Sequence, residues 1–475
     1  MTNIEESNKR WLTLIILCLG ELMIVLDTTI VNVALPSIRA DLAFTETTLV
    51  WVVNAYMLTF GGFLLLGGRL GDLFGQRKLF LLGIVLFTGA SLACGIANSQ
   101  SMLICARAIQ GLGGAVVSAV ALSLIMNLFT EDAERAKAMG IYGFVCAGGG
   151  SVGVLLGGIL TSMLSWHWIF LVNLPIGIAV YAICLRLLPA GQAQTDVRHM
   201  DIGGALTITA SLMLAVYAIV NGHEAGWVSF ETLGLLAASV VLFFSFLLIE
   251  SRVKLPLVPL RFFRLRNVNI ANTIAVLWAA AMFAWFFTSA LYMQLVLGYS
   301  AMQVGLAFLP SNLIMAILSL GVSAKIVMRF GIRPPLIAGL LLGAVGLGLF
   351  ALAPVHGGVT LHVLPGMLLL GFGAGIAFNP MLLAAMSDVS QEESGLASGI
   401  VNTAFMMGGA LGLAVLASAA AALSYHMEAQ GVEQLVALNS GYRLAFGLGG
   451  LAAVAAALLG FAMNVKTMPS VALAH

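Results

Sequence analysis

The sequence predicts an all-α protein that crosses a membrane many times. Of its 475 residues, 61% are hydrophobic and 9% are charged, whereas about 25% of the residues in an ordinary globular domain are charged. This number of charges is too small to cover a water-facing surface of normal size. Lipid must therefore cover much of the protein surface. The apolar runs are about 20 residues long, the length that a helix needs to cross the ~30 Å hydrocarbon layer.

Fourteen apolar runs follow one another along the chain, and each is predicted to form a transmembrane helix. They cover roughly residues 12–35, 47–67, 79–97, 102–127, 138–164, 167–188, 202–221, 229–249, 269–297, 302–327, 334–353, 361–386, 395–423 and 441–463. The first run contains Glu21 and Asp27 and has no small-residue cleavage site, so we interpret it as a span and not as a signal peptide.

The basic residues assign a side of the membrane to each connection. With fourteen spans, all but three of the 21 Lys and Arg residues fall on the side of the N-terminus, and the exceptions are Arg39, Arg107 and Arg443. Lys and Arg concentrate in cytosolic loops. We therefore predict a multi-pass protein of the cell inner (plasma) membrane with both termini in the cytosol. A miscounted helix would scramble the asymmetry downstream, so its persistence supports fourteen spans.

Several other classes of site leave no pattern in the sequence. The five cysteines show no paired or metal-ligand spacing, and the histidines form no HExxH or similar motif. We therefore predict no metal and no cofactor. The basic residues are scattered beside the membrane and form no nucleic-acid-binding patch, so no nucleic acid is expected as a partner.

A short internal repeat suggests how the spans are organised. Phe74-Gly75-Gln76-Arg77 ends the connection between spans two and three, and Phe330-Gly331-Ile332-Arg333 lies in the connection between spans ten and eleven. Each follows the second helix of a six-helix set. We predict two six-helix bundles (1–190 and 268–475), two inserted transmembrane helices (191–250) and a cytosolic linker (251–267).

The first cytosolic loop carries a motif, Gly67-Gly68-Arg69-Leu70-Gly71-Asp72-Leu73-Phe74-Gly75-Gln76-Arg77-Lys78. It resembles the signature loop of the major facilitator superfamily. The resemblance implies the major facilitator fold and a gating role for Gly68, Asp72, Gly75, Arg77 and Lys78. It also implies that Asp72 lies against the N-terminus of the thirteenth span, before which Ser390-Gln391-Glu392-Glu393 is typical of a capping box. The alternative is a loop that only fixes topology.

Further segments resemble the fourteen-span drug:proton antiporters of the QacA/EmrB type. They are Leu26 to Pro36 in the first span, Trp166 to Pro175 at the sixth, and Gly140, Gly149, Gly153, Gly157 and Gly158 in the fifth. In the fourth span, Arg107 to Gly114 is similar to the superfamily's proton-transfer-associated R-x-x-Q-G motif. Val154 replaces the proline of the fifth-span motif. The resemblance implies that Gly149, Gly153, Gly157 and Gly158 form a tight hinge between the bundles, and ordinary small-residue packing is the alternative.

Asp27 is the residue predicted to couple transport to protons. It lies nine residues before Pro36, or about 13 Å below the outer end of its helix, and Arg107 lies at a depth of about 8 Å in the fourth span. The two depths are near enough for an ion pair, which would keep Asp27 ionised until the contact is lost. A static ion pair that fixes packing is the alternative. Glu21 is a second candidate carrier, a partner for a cationic substrate, or a locally hydrogen-bonded glutamate.

Aromatic residues crowd the ninth span and predict a wall for flat hydrophobic compounds, through cation–π contact and repacking. The predicted substrate-binding residues are Gln110, Trp278, Trp285, Phe286, Asn312, Asn379 and Asn402. Aromatic side chains in spans also face lipid or the core, so packing is the alternative for each of them.

These features predict a proton-driven exporter (antiporter) of hydrophobic, cationic drugs or toxic compounds that works by alternating access. A proton-coupled exporter of an endogenous metabolite, amino acid or organic anion is the alternative. Two rival functions come from other classes. A membrane-embedded enzyme would need a catalytic pair at a membrane face. A transporter-like sensor would need an added cytosolic domain. The expected partners are a small hydrophobic substrate, protons and the lipid bilayer. The sequence leaves open whether the protein is a monomer and whether accessory envelope proteins bind it.

Overall fold

The computed structural model describes residues 3–129, 131–188, 201–253, 256–389 and 393–464, and every regular element within these ranges is helical. The predicted all-α fold is thus confirmed. The chain divides into two compact units, Met1–Pro259 with Tyr299–Leu306, and Leu260–Gly298 with Ala307–His475. The four-part division at residues 190, 250 and 267 stays a prediction.

The first unit is a bundle in which α3 and α4 pack against α5, and α6 and α8 pack against α1. Its helices are α1 (Asn3–Leu42), α2 (Glu46–Leu49), α3 (Trp51–Phe74), α4 (Gln76–Gly95), α5 (Gln100–Leu128), α6 (Asp132–Met163), α7 (Trp168–Leu171), α8 (Asn173–Leu187), α9 (Ile202–Ala225) and α10 (Phe230–Arg252).

In the second unit, α11 packs against α16 and α17, and α14 packs against α15 and α17. The remaining helices are α11 (Arg266–Leu291), α12 (Ala301–Ile317), α13 (Ser323–Phe330), α14 (Arg333–Ala351), α15 (Leu364–Met386), α16 (Ser394–Ala429) and α17 (Gln434–Phe461). The first residues of α12, up to Leu306, belong to the first unit. A 3-10 helix, Leu260–Arg264, precedes α11.

Within the described residues, 13 helices are long and apolar enough to cross a membrane. They correspond to all but one of the predicted spans. The remaining span, predicted at 302–327, is the shorter apolar helix Ala301–Ile317, which a π-helical segment at Leu318–Val322 separates from α13. Helical structure therefore continues from Ala301 to Phe330, and the difference from fourteen is this interruption.

Helix α1 is longer than its sequence predicted. Proline removes a backbone donor and usually bends or ends a helix, yet α1 continues through Pro36 to Leu42. Beyond the proline, Trp166 Nε1 donates to Asp41 Oδ2 at 2.9 Å, and Gln100 Nε2 donates to the Leu42 carbonyl at 3.0 Å. Asp27 therefore lies about 22 Å from the end of its helix, and the predicted 13 Å was wrong.

The internal repeat has a glycine with a positive φ at the turn in both units. Gly75 joins α3 to α4 with φ 92° and ψ 122°, and Gly331 joins α13 to the segment before α14 with φ 79° and ψ −179°. Both conformations are essentially restricted to glycine. The four-residue echo therefore marks two equivalent turns, each made possible by its glycine.

The arginine of each repeat contacts the end of the last span of its predicted six-helix set. Arg77 Nη2 donates to the Leu185 carbonyl in the last turn of α8 at 2.6 Å. The Arg333 guanidinium carbon lies 5.5 Å from the ring centre of Phe461, at the end of α17. A cation near a helix C-terminus is favoured by the helix dipole, so the arginine of each turn lies at the C-terminal end of the sixth helix of its set.

The helices α9 and α10 form a hairpin that packs on α3. Ser211 Oγ donates to the Ser239 carbonyl and Ser239 Oγ donates to the Ser211 carbonyl, both at 2.8 Å. Thr209 on α9 lies directly over Gly62 on α3, where a Cβ would collide with the threonine side chain. Small residues let helices approach closely in membranes, so the inserted hairpin belongs to the first unit.

Candidate functional site

Asp27 on α1 and Arg107 on α5 are in contact. Arg107 Nη1 donates to Asp27 Oδ2, and the two side chains are 1% and 0% exposed. Arg107 Nε also donates to the Val52 carbonyl on α3 at 2.9 Å, and the guanidinium carbon lies 4.4 Å from the ring centre of Tyr56. The arginine is therefore held by α1 and α3 at once. The predicted contact is present, and its role in proton coupling stays a prediction.

Gln110 belongs to the same network. It lies one turn after Arg107 on α5, so both side chains point to the same face of the helix. Gln110 Nε2 donates to Asp27 Oδ1 at 2.7 Å, and Gln110 Oε1 accepts from Arg107 Nη1 at 2.8 Å. The sequence suggested a substrate contact for Gln110, whereas the structure places it as a fully buried partner of Asp27.

Two further members of the network were missed by reasoning from the sequence. Asn173 Nδ2, at the start of α8, donates to Asp27 Oδ1 at 3.1 Å. Ser91 Oγ on α4 accepts from Gln110 Nε2 at 2.8 Å and donates to the Phe87 carbonyl at 2.8 Å. Both polar residues lie within predicted apolar spans, and that was the signal that could have identified them.

The network defines what Asp27 can do chemically. Three different side chains donate to its carboxylate, and hydrogen bonds to an ionised group are among the strongest in proteins. Since the carboxylate is 0% exposed, these donors replace the water that an ionised group otherwise needs. Any rearrangement that removes a donor would therefore leave this buried carboxyl with fewer hydrogen-bond partners.

Glu21, two turns earlier on α1, is held by other residues. Ser118 Oγ on α5 donates to Glu21 Oε1 at 2.9 Å, and the Tyr142 hydroxyl on α6 also hydrogen-bonds this carboxyl. Glu21 is buried. The structure thus places two acids on α1 in separate polar surroundings, and it does not bring Glu21 into the Asp27 network.

Three glycines of α6 form a stripe against α1. Gly149, Gly153 and Gly157 face Val25, Leu26 and Ile30, respectively. A Cβ on Gly157 would lie 2.8 Å from the Ile30 carbonyl oxygen, which is part of the backbone and cannot rotate away. The stripe therefore lets α6 pack closely on the helix that carries Asp27.

Gly158 faces the first residues of α12, which belong to the same unit. A Cβ on Gly158 would lie 2.8 Å from the Ala301 carbonyl oxygen, and a Cβ on Gly305 would lie 2.9 Å from the Val154 carbonyl oxygen. The two glycines thus allow mutual backbone approach between α6 and the start of α12. The predicted role of Gly149, Gly153, Gly157 and Gly158 in a hinge stays a prediction.

The structure describes part of the loop motif Gly67 to Lys78. A Cβ on Gly68 would meet a single neighbour, at an ordinary 3.9 Å, so this glycine is not required by close packing. Gly75 has the positive φ and Arg77 the contact with α8 described above, and Lys78 is exposed. The side chain of Asp72 and the residues Ser390–Glu392 lie outside the described part of the chain, and α16 begins at Ser394.

The predicted aromatic wall divides into two environments in the second unit. Trp278 is buried against Gly343 on α14, where the ring occupies the space that a side chain would need. Trp285 and Phe286 instead contact Phe308 on α12, with ring centres 5.7 Å and 5.4 Å apart, and the Phe286 and Phe308 rings are stacked. The structure therefore separates Trp278, a packing residue of α11 and α14, from this three-ring cluster.

Two donors of the second unit are buried without a partner among the described residues, Trp285 Nε1 and Asn312 Nδ2. Asn312 lies one turn after Phe308 on α12, so both point to the same side of the helix. An unpartnered buried donor is costly unless another molecule satisfies it. Asn379 and Asn402, the other predicted substrate-binding amides, are half-buried.

Residues 17–413 match the family described as Major Facilitator Superfamily. The chain is 39% identical over 410 residues to the puromycin resistance protein of Streptomyces alboniger, an alignment that covers 86% of this chain and 81% of that protein. It is also 39% identical over 406 residues to a cephamycin export protein of Amycolatopsis lactamdurans, covering 85% and 83% of the two chains.

Among solved structures, the fold resembles that of an auto-inhibited POT family peptide transporter. The TM-score is 0.68, and the match covers 96% of this chain and 98% of the other. The sequence identity of 15% supports similarity of the fold alone.

Proposed function

This chain belongs to the major facilitator superfamily, a family of membrane transporters and not of enzymes, and from that premise we propose that it is a proton-driven exporter of hydrophobic drugs or toxic compounds. The names of its relatives refer to puromycin resistance and cephamycin export, which supports export over uptake. We place it in the cell inner membrane with both termini in the cytosol, as the basic residues predict.

The observation that carries proton coupling is the complete burial of Asp27 among hydrogen-bond donors. Its carboxylate accepts from Arg107, Gln110 and Asn173, and all four side chains are buried. An ionisable group inside a membrane protein is expensive and is usually retained for transport or proton relay. Asp27 is therefore the group that we assign to proton binding.

In the proposed coupling cycle, Arg107 and a proton compete for the Asp27 carboxylate. While Arg107 contacts Asp27, the ionised form is favoured. A shift of α1 relative to α5 would weaken this contact, and Asp27 would then take up a proton from the outside. Arg107 would keep the Val52 carbonyl and Gln110 as acceptors, so its charge would not be left without partners. Restoring the contact would expel the proton toward the cytosol.

The proton gradient is sufficient to drive such a cycle. A membrane potential of about 100 mV supplies about 2.3 kcal/mol for each charge that crosses. Each pH unit of gradient supplies a further ~1.4 kcal/mol. Together these terms correspond to a concentration ratio of several hundred for a neutral substrate exchanged for one proton.

The substrate class is proposed from two regions. The rings of Trp285, Phe286 and Phe308 provide a surface for flat apolar groups, and the unpartnered donors of Trp285 and Asn312 fit a carbonyl or ether oxygen. Glu21 fits a cationic group. An oxygen-bearing, aromatic or amphipathic compound satisfies these groups, and a positive charge adds to recognition by Glu21. A metabolite or organic anion using the same coupling groups is the alternative.

The proposal is tested with purified protein in liposomes under an imposed pH gradient, with ethidium as the transported probe. Asp27→Asn removes the charge and preserves the side-chain shape. We expect the variant to lose gradient-driven transport while retaining exchange of ethidium across the membrane without a gradient.

The matched control is Asp41→Asn, at the exposed end of the same helix, which should transport like the wild type. Unchanged gradient-driven transport in Asp27→Asn would remove Asp27 from the coupling role. A wild type that moves the probe equally with and without a gradient would exclude proton coupling itself for this compound.

A further inference from the structure

The side chains around the Asp27 carboxylate use nearly all of their hydrogen-bonding capacity. A glutamine side chain has two N–H donors and two acceptor lone pairs. Gln110 Nε2 donates to Asp27 Oδ1 at 2.7 Å and to Ser91 Oγ at 2.8 Å. Gln110 Oε1 accepts from Arg107 Nη1 at 2.8 Å and from Cys94 Sγ at 3.6 Å. Gln110 therefore has no lone pair left for another donor.

Ser91 is occupied in the same way. Its hydroxyl donates to the Phe87 carbonyl and accepts from Gln110 Nε2 and, at 3.4 Å, from Asn173 Nδ2. A hydroxyl offers one O–H and two lone pairs, so all of its positions are filled. Arg107 has donors only. Neither Ser91 nor Arg107 can accept a further hydrogen bond in this arrangement.

Asn173 is the exception among these side chains. Its Nδ2 donates to Asp27 Oδ1 at 3.1 Å and to Ser91 Oγ at 3.4 Å. Its Oδ1 is buried, and no N–H or O–H of the described residues donates to it. The residue as a whole is 0% exposed. A buried acceptor without a donor is costly, and this one belongs to a side chain that already contacts the titratable carboxyl.

The ionised and the protonated forms of Asp27 need different partners. A carboxylate only accepts, whereas the protonated acid also has an O–H that must be donated. We propose that Asn173 accepts this O–H. Its Nδ2 donates to the ionised carboxylate, and a half-turn about the Cβ–Cγ bond, a torsion with broad minima, brings Oδ1 to the same place once Asp27 is protonated. The proton stays covalently bonded to Asp27, and Asn173 exchanges only hydrogen bonds.

The position of Asn173 suits this role during the proposed cycle, on which the inference rests. Its contact with Asp27 Oδ1 is longer than that of Gln110, 3.1 Å against 2.7 Å, so it is the more easily exchanged of the two. Asn173 begins α8, which packs against α1 and α4. It therefore stays beside Asp27 when α1 shifts relative to α5, the helix that carries both Arg107 and Gln110.

The other titratable side chains near the two acids of α1 have different positions or partners. The Cys94 thiol donates to Gln110, and the Tyr56 hydroxyl lies against Gly114, one turn of α5 beyond Gln110. Glu21 accepts from Ser118 instead. The charged and titratable side chains that the surrounding helices place near Asp27 and Glu21 are Tyr56 of α3, Cys94 of α4, Arg107 of α5 and Tyr142 of α6.

Infrared difference spectroscopy of the full-length protein in lipid nanodiscs tests the exchange without a substrate. The side-chain carbonyl of asparagine is isotopically labelled, and spectra at high pH are subtracted from spectra at low pH. In the wild type we expect a carboxylic acid band from Asp27 and, together with it, a shift of one asparagine carbonyl band to lower wavenumber, because Asn173 Oδ1 begins to accept a hydrogen bond. Loss of the Nδ2 bond alone would shift the band to higher wavenumber.

Three variants assign these bands. Asp27→Asn should lose both the acid band and the asparagine shift. Asn173→Thr should keep the acid band and lose the asparagine shift. Asn98→Thr, at an exposed amide between α4 and α5, is the matched control and should keep both.

Transport by two variants of equal shape gives an independent readout. Threonine at position 173 can donate to the carboxylate and accept from the acid, whereas valine can do neither. In the liposome assay, we expect gradient-driven transport by Asn173→Val to be roughly tenfold slower than by Asn173→Thr.

Two results would overturn the role of Asn173 and leave proton binding by Asp27 intact. One is an acid band from Asp27 without an asparagine shift to lower wavenumber, and the other is equal transport by Asn173→Thr and Asn173→Val. A wild type without an acid band that depends on Asp27 would instead exclude the proposed function, and the inference with it. Among the described residues Asn173 is the asparagine bonded to Asp27, so the wild type and Asp27→Asn decide even if the Asn173 variants do not fold.

Discussion

Arg107 and Asp27 neutralise each other inside the first unit, where neither side chain is more than 1% exposed. A buried ion pair of this kind contributes little net stability, because its attraction offsets the cost of removing two charges from water. Removal of only one partner is destabilising, since it leaves the other charge buried and unpaired. The stabilities of single and double variants should therefore differ.

Arg107→Gln should destabilise the protein by about 3–5 kcal/mol, because the Asp27 carboxylate would lose its cation. The double variant Asp27→Asn/Arg107→Gln should recover a large part of that loss, since no charge remains in the site. Thermal unfolding in detergent, monitored by circular dichroism, measures both. Equal losses in the single and the double variant would contradict the pairing.

Asn173→Ala should lower both stability and gradient-driven transport. The variant removes one of the three donors to the Asp27 carboxylate, and loss of a hydrogen bond in a buried site costs about 1–3 kcal/mol. Asn98→Ala, an exposed amide between α4 and α5, is the control. If the liposome assay gave the same transport rate for the two variants, Asn173 would have no part in positioning Asp27.

The glycine stripe of α6 allows a comparison within a single helix. Gly157→Ala should destabilise the protein, because the new Cβ would lie 2.8 Å from the Ile30 carbonyl oxygen. Gly143→Ala adds a Cβ with no neighbour within 4 Å and should be neutral or stabilising by up to about 1 kcal/mol, since alanine favours helix. The changes in the unfolding midpoint are expected to have opposite signs in the two variants. Equal changes would show that α1 and α6 do not pack closely at Gly157.

The two equivalent turns predict matched effects in the two units. Gly75→Ala and Gly331→Ala should each cost about 1–3 kcal/mol, because alanine is strained at the positive φ of both positions. Gly89→Ala, inside α4 with no neighbour within 4 Å of its Cβ, is the control and should not destabilise. Stability measurements on the three variants check this prediction. A Gly331→Ala protein as stable as the wild type would contradict the equivalence of the turns.

Much of the architecture was predictable from local features of the chain. Span length, basic connections and the Phe-Gly-x-Arg echo depend on residues close in sequence, and the structure confirms the all-α fold and the matching glycine turns. Errors arose where tertiary contacts override a local rule. Pro36 does not end α1, since Trp166 and Gln100 bind the turn beyond it, and a π-helical segment interrupts the span that begins at Ala301.

The candidate site shows the same division. The sequence by itself determined that Asp27, Glu21 and Arg107 lie within apolar helices long enough to cross a membrane, because hydropathy depends only on neighbouring residues. Only the tertiary structure decided which partners they have. Asn173 meets Asp27 across 146 positions of chain, and Gln110 meets Asp27 across 83 positions. Such contacts depend on the rotation and depth at which packed helices meet, and no short stretch of residues contains that information.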